Sequence, residues 1–254
     1  MPHSPTILSI KWGNLFTAQD VNMLHRACRD CVTGDLRFVC LTDDAAGLDD
    51  RIEHRAIPDI GLSPQDFKRP GVWRKLSLYA PELHDLGRCL FIDLDMLIVG
   101  CLDPFFAPQQ GVIFLNTGDS WRPNPESDHK EGGTGIFNFD PATEYPVLQA
   151  FQEAPQAHMD EFHNEQDFIF AHASKRDFWR EGRVISFKRH LCHRFGLGLL
   201  RGPRPVPEGA AVVAFHGSPR PRDVMEKTIW GAFPHLQSGQ ASVVAEYWRR
   251  YGVS

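Results

Sequence analysis

Arg88-Cys89-Leu90-Phe91-Ile92-Asp93-Leu94-Asp95-Met96-Leu97-Ile98 is the stretch on which the fold turns. Its core, Cys89 to Ile92, is continuously apolar, the pattern of a strand covered on both faces of a sheet. Two carboxylates then interrupt the apolar run, where an unpaired charge is costly. Alternate residues of an extended chain point the same way, so Asp93 and Asp95 are expected to converge at a strand end, the place where open α/β sheets bind ligands. Oxygen donors so placed suit Mn2+ or Mg2+ shared with substrate phosphates. A D-x-D arises about once by chance in a chain of this size, so the apolar context carries the weight. The competing reading is a strand-end turn in which the Asp side chains cap backbone amides.

Upstream, Thr6 to Ile10 reads as a strand, Ala18 to Cys31 as a helix, Leu36 to Leu41 as a second strand and Ile52 to Ile57 as a third. Trp73 to Leu83 reads as a helix and its exit. Downstream, Gly111 to Leu115 and Gly135 to Phe139 are strand candidates on either side of a polar loop, Asn116 to Gly133, long enough to be functional or mobile. Helices are predicted from Pro146, over Glu165 to Ala173 and over Ser242 to Tyr251, and strands over Val184 to Phe187 and Ala210 to Phe215. The alternation predicts an α/β fold with a mixed, mainly parallel sheet flanked by helices, in one domain over residues 1–254.

The 254 residues carry 27 Lys and Arg against 32 Asp and Glu, a formal net charge of -5. Without a long basic run, nucleic acid is not an expected partner. Met1 to Thr6 lacks the basic start of a signal peptide, and no apolar run nears the roughly 18 residues of a membrane span, so the reading is cytoplasmic. The C-terminal Tyr247-Trp248-Arg249-Arg250-Tyr251 leaves peripheral membrane contact open, an amphipathic helix with a solvated Arg face being the plainer explanation. The six cysteines are scattered and expected to be reduced. Cys28-x-x-Cys31 and His190-x-Cys192-His193 lack the second pair and the spacing of a zinc site.

Asp93-Leu94-Asp95 after its apolar strand resembles the D-x-D of GT-A glycosyltransferases, particularly the glycogenin-like and bacterial lipopolysaccharide sugar transferases. Other segments agree in order. Trp73-Arg74-Lys75-Leu76 resembles the helix whose lysine faces the donor, and Gly133-Thr134-Gly135 with its following strand resembles the element along the donor sugar. Asn164-Glu165-Gln166-Asp167 resembles the segment beside the sugar, with Glu where the family more often has Asp, so that Glu165 or Asp167 is the sugar-facing carboxylate. Phe215-His216-Gly217-Ser218-Pro219-Arg220-Pro221 resembles the late segment carrying a metal-binding His and a basic residue.

The resemblance implies a Rossmann-like GT-A domain that moves a sugar from a nucleotide-sugar donor, a UDP-sugar, to a carbohydrate or glycolipid acceptor, with retention of configuration. Asp93, Asp95 and His216 would hold the cation, Lys75 and Arg220 would face the phosphates, and Glu165, Gln166 or Asp167 would meet the sugar. Gly133, Thr134, Gly135 and Gly217 would line the donor, and Lys11, Trp12, Gly13 and Asp43 occupy the positions that hold the base. His216 also stands directly after an apolar strand, from which an imidazole reaches the same strand-end face as the aspartates. A nucleotidyltransferase is the second reading, although Lys11-Trp12-Gly13-Asn14 lacks the Gly-rich basic loop that holds a triphosphate. A nucleotide-sugar-binding protein whose catalysis has lapsed is the third.

Overall fold

The computed structural model describes residues 4–107, 109–122, 124–226 and 228–252. The apolar runs become strands in chain order: β1 (Thr6–Lys11), β2 (Arg37–Thr42), β3 (Glu53–Arg55), β4 (Cys89–Ile92), β5 (Met96–Ile98), β6 (Val112–Asn116), β7 (Gly132–Phe139), β8 (Arg176–Phe178), β9 (Val184–Ser186) and β10 (Val212–Ala214). A seven-stranded sheet is ordered β3-β2-β1-β4-β7-β6-β8. Its β3, β2, β1 and β4 run parallel, β7 is antiparallel to both β4 and β6, and β8 is parallel to β6. The sheet is therefore mixed and mainly parallel, as the alternating sequence predicts.

Side-chain alternation explains why β4 is apolar throughout. Leu90 and Ile92 enter one core with Ile7, Phe38 and Cys40, while Cys89 and Phe91 enter the opposite core with Leu8, Val39 and Leu41. Each large side chain so buried contributes about 1.5–3 kcal/mol, and with both faces covered there is no solvent side for a polar residue to occupy. The first core is closed by α1 (Ala18–Cys31) and, at the far end of the chain, by the α-helix Ser242–Tyr251, whose Tyr247 and Tyr251 are buried. The second is closed by α2 (Tyr145–Glu153), α3 (Pro155–Glu161), α4 (Glu165–His172) and the segment Trp73–Leu86.

Two local expectations change. Trp73–Tyr79 and Pro81–Leu86 are 3-10 turns, not one helix. Ala80, held extended at φ -70° and ψ 148° ahead of Pro81, stops the helical path. Asp93, Leu94 and Asp95 form a turn rather than an extended strand, closed by the Met96 N–H donating to the Asp93 carbonyl at 3.2 Å. That turn carries the chain out of the large sheet into β5, the edge of a second sheet ordered β5-β10-β9. Here β10 is antiparallel to β5 and parallel to β9, so the residue after β10, Phe215, donates its N–H to the Asp95 carbonyl at 3.1 Å. The aspartates thus sit at the seam of two sheets.

Among the described residues no helix is long and apolar enough to cross a membrane.

Candidate active site

A cavity of about 470 Å3 opens at this seam, with Asp93 and Asp95 on its wall and Lys75, Gly133, Thr134, Gly135, Glu165, Gln166, His216 and Gly217 around them. Leu94, between the aspartates, faces away and is buried. The turn therefore does what the extended reading required of it, presenting both carboxylates to one space, by a different backbone path.

Lys75 is 3% exposed, and its Nζ donates to Asp93 Oδ2 at 2.8 Å and to the Thr134 carbonyl at 3.2 Å. Glu165 Oε1 lies 3.8 Å from the same nitrogen. Burial lowers the ammonium's pKa, but Asp93, Glu165 and Asp95 outweigh it and hold Lys75 above its ordinary value. Its first role in this structure is to anchor Asp93, from the cavity wall, by a charge-assisted bond.

Glu165 is likewise committed. Its Oε2 accepts the Val72 N–H at 2.9 Å and its Oε1 accepts the Thr134 hydroxyl at 3.1 Å. Asp167 is exposed and is not on the cavity wall, its N–H being capped by the Asn164 side chain at 3.0 Å. Of the three residues at the start of α4, Gln166 is the one on the cavity wall whose side chain makes no hydrogen bond to another side chain or to the backbone among the described residues.

Asp95 carries the least compensated charge. Burial, followed by repulsion from Asp93, pushes its carboxyl up to about 7, against weaker pulls from Lys75 and Arg220. Burial also pushes Asp93 up, opposed by Lys75. Such a pair of oxygen donors, half-buried and mutually repelling, fits a hard divalent cation by its chemistry.

His216 stands beside this pair without joining it in a three-ligand cluster: among the described residues no three His, Cys, Asp or Glu side chains group as metal ligands. Its Nε2 lies 2.7 Å from Ser186 Oγ. Burial, with Lys188 and Arg189 adding to it, pushes its pKa down to about 4, so the imidazole is neutral near pH 7, the form that ligates cations.

The glycines have a packing reason. A Cβ on Gly135 would lie 2.3 Å from Met96 Cε and 3.7 Å from Asp93 Oδ2, and one on Gly133 would lie 2.4 Å from Thr117 Cγ2. The stiff Thr117 side chain makes the clearance strict at Gly133, whereas at Gly135 the flexible end of Met96 can turn aside.

Other predicted positions lie off the cavity wall. Lys11 is buried and its Nζ donates to the Asp44 carbonyl at 2.9 Å, and Gly13, at φ +58°, donates its N–H to Asp43 Oδ2 at 3.0 Å. Lys11 pairs with Thr42 in register, so these loops and the half-buried Trp12 share the carboxyl edge of the parallel strands with Asp93. Arg220 is exposed and lines a smaller neighbouring recess with Asp20 and Leu94, close enough to favour the charged form of Asp95.

Arg189 and Trp121 were not assigned from sequence as wall residues, although Trp121 belongs to the long polar loop expected to be functional or mobile. The indole is 8% exposed, its N–H donates to the Val184 carbonyl at 2.8 Å, and Arg189 lies over its ring at 5.4 Å. His216 flanks the same ring at 5.7 Å. Trp121 therefore pins the middle of the loop to the small sheet.

The chain matches no protein-family profile and no curated protein sequence. Solved structures do resemble it. The galactosyltransferase LgtC in complex with donor and acceptor sugar analogs superposes with a TM-score of 0.56 at 12% identity, over 85% of this chain and 88% of LgtC. The glycosyltransferase GlyE of Streptococcus pneumoniae TIGR4 gives 0.62 at 9% identity, over 99% of this chain but 61% of that one. The bifunctional glycosyltransferase WbbM gives 0.55 at 11%, over 87% and 47%. Likeness at such low identity speaks for architecture, and with the mixed sheet and the strand-end aspartates already placed it settles one conclusion: this chain has the GT-A glycosyltransferase fold.

Proposed function

We propose that the chain is a metal-dependent glycosyltransferase, acting in the cytoplasm, that moves a sugar from a UDP-sugar to an acceptor hydroxyl with retention of configuration. The observation that carries this reading is the aspartate pair on the wall of a large cavity, with one member fixed by Lys75 and the other making no ion pair among the described residues. Bound Mn2+ or Mg2+ would supply positive charge against the departing diphosphate.

The chain's own residues supply the rest. Asp93 and Asp95 would present oxygen donors to the cation, and the neutral imidazole of His216 would supply a nitrogen donor beside them. Asp95 would hold the cation in its charged form, with Lys75 and Arg220 favouring that form. The backbone at Gly133–Gly135 lies against the sugar, where side chains would block it. Gln166 presents an amide to the sugar, able to orient hydroxyls or to face charge developing at the anomeric carbon. Glu165 acts through others: it holds Lys75 and Thr134, and is a positioning residue. Trp12, Gly13 and Asp43, at the carboxyl edge, take the base end of the donor, and Arg220 adds positive potential near Asp95. Retention and the choice of UDP rest on the resemblance to the glycogenin-like transferases, and the LgtC complex with sugar analogs supports a donor and a carbohydrate acceptor.

The nucleotidyltransferase reading is disfavoured by the loop after β1, where Gly13 folds onto Asp43 instead of forming a basic cradle. A lapsed enzyme would bind donor without turnover. The test is release of UDP from a panel of UDP-sugars with Mn2+ and no acceptor. Release that falls on the order of 10²–10³-fold in Asp95→Asn supports the reading, by analogy with loss of other charge-stabilising groups. Metal-dependent UDP binding with no release from any sugar would favour the lapsed binder.

A further inference from the structure

Beyond Arg189 the donor cavity adjoins a second one, of about 430 Å3, whose wall contains Arg122, Arg189, Arg194, Arg204 and His235, with Glu126 as its lining carboxylate. The chain as a whole is acidic, with a net charge of -5, so this concentration of cations is local. Arg122 is paired with Asp119 at 3.0 Å. Among the described residues, Arg189, Arg194 and Arg204 make no ion pair.

These three guanidinium groups are held in place without being neutralised. Arg189 donates to the Thr117 carbonyl at 3.1 Å and lies over Trp121. Arg204 reaches the carbonyls of His190 and Cys192 at 3.4 and 3.3 Å, and Arg194 lies 5.0 Å over the ring of Phe195. Carbonyl oxygens and aromatic faces orient a guanidinium but leave its full charge, and part of its donor fork, for a ligand. The surrounding imidazoles register the same potential. His193 and His235 are held below their ordinary value by burial first, and by neighbouring Arg or Lys second. An unfilled group of like charges is costly, and an anion relieves it.

We propose that this cavity is a subsite for the phosphate of an acidic acceptor saccharide. The inference rests on the sugar-transfer reading above for the word acceptor, and on the arginines alone for the phosphate. Arg189 lines both cavities, so a ligand anchored by its phosphate at Arg194 and Arg204 extends past Arg189 and Trp121 toward the aspartates. The volume falls in the range of small-molecule sites, roughly 300–1,000 Å3. A fork of N–H donors matches phosphate oxygens in pairs, which a neutral sugar cannot reproduce.

The phosphate could stand on a free saccharide or on a lipid carrier. Phe195 and Phe233, 69% and 75% exposed with ring centroids 6.1 Å apart, flank the arginines and would suit a lipid surface.

The test is calorimetric titration of a panel of hexose phosphates, and of the matching neutral hexoses, into the full chain with and without UDP and Mn2+. It is repeated on the double variant Arg194→Gln/Arg204→Gln. Neither residue lines the donor cavity, so UDP affinity serves as the folding control. Expected is binding of the phosphates and not of the neutral sugars, weakened at least about tenfold in the variant, the equivalent of losing one charge-assisted contact. Phosphates and neutral sugars binding alike, phosphates not binding, or a variant within twofold of the parent would each overturn the proposal. The two readings fail separately: UDP that does not bind removes the transferase, and phosphosugar that does not bind removes this subsite. Co-sedimentation with phosphatidylcholine vesicles bearing phosphatidic acid assigns the source. Sedimentation lost in the double variant puts the phosphate on a lipid, and phosphosugar binding without sedimentation puts it on a soluble saccharide.

Discussion

Replacing Lys75 by Met removes the cation that is bonded to Asp93. In the folded chain its Nζ is 2.8 Å from Asp93 Oδ2 and 3.8 Å from Glu165 Oε1, with 4% of the lysine side chain and 6% of the glutamate exposed. Breaking such a pair from one side leaves a carboxylate buried without its partner, at a cost of about 3–5 kcal/mol. Asp93 keeps 28% of its side chain exposed, and solvent screening there reduces the figure to roughly 2–3 kcal/mol. At about 2–4 °C per kcal/mol for a domain of this size, Lys75→Met lowers Tm by about 4–12 °C. The loss has a sign in pH. Asp93 already lies above its ordinary value with Lys75 opposing the rise, so without Lys75 its folded-state pKa climbs further, the folded state binds more protons, and it is destabilised as pH rises above the unfolded carboxylate range. The deficit is therefore larger at about pH 8 than at about pH 5, and Lys75→Met/Asp93→Asn recovers part of it. Thermal unfolding by circular dichroism at both pH values reads this directly. A Tm drop under about 2 °C at the higher pH, or the same drop at both, would refute the buried-cluster reasoning.

Three further outcomes follow from the same geometry. Because Asp95 is pushed up to about 7, its folded-state pKa lies above the unfolded one. The metal-free chain therefore loses stability as pH rises from the unfolded carboxylate range through about 7, and Asp95→Asn raises Tm at alkaline pH; an unchanged or lower Tm contradicts the shift. Mn2+ affinity, measured by calorimetry, falls by up to about tenfold per pH unit below about 7 and levels off above it, since cation and proton compete for the same oxygen. Gly133→Ala forces its Cβ against the Thr117 methyl 2.4 Å away and costs about 1–3 kcal/mol, while Gly133→Ala/Thr117→Ser, which removes that methyl, recovers part of this in urea melts. No recovery would mean that the glycine serves something other than clearance.

Much of the site was legible because the chemistry is local in sequence. Asp93 and Asp95 stand out against a strand buried on both faces, and His216 follows the apolar run of β10, whose antiparallel pairing with β5 brings it to the aspartate turn. The turn at Leu94 was not legible: a D-x-D string has the same residues whether extended or folded, and the antiparallel pairing of β5 with β10 decides between them. Nor could the sequence say that Glu165 faces Lys75 and Thr134 while Asp167 faces solvent, since two acidic residues at a helix start are favoured there by the helix dipole wherever they point. Arg189 follows β9 in a π-helical turn, Phe187–Leu191, and reaches the cavity through a contact with the loop some seventy positions earlier. Its one sequence signal was the run Lys188-Arg189-His190, with Arg194, Arg201 and Arg204 close behind, in a chain otherwise acidic.

The central claim, that Asp93 and Asp95 hold a cation against a nucleoside diphosphate, is tested most directly by titrating UDP into the chain with Mn2+ and with EDTA, and then into Asp95→Ala. Expected is UDP binding that requires Mn2+ and is lost in the variant, with the variant still folded by circular dichroism. UDP binding unaffected by EDTA or by the substitution, or no nucleotide binding to the folded chain in either condition, would contradict it and return the two aspartates to the structure of the turn.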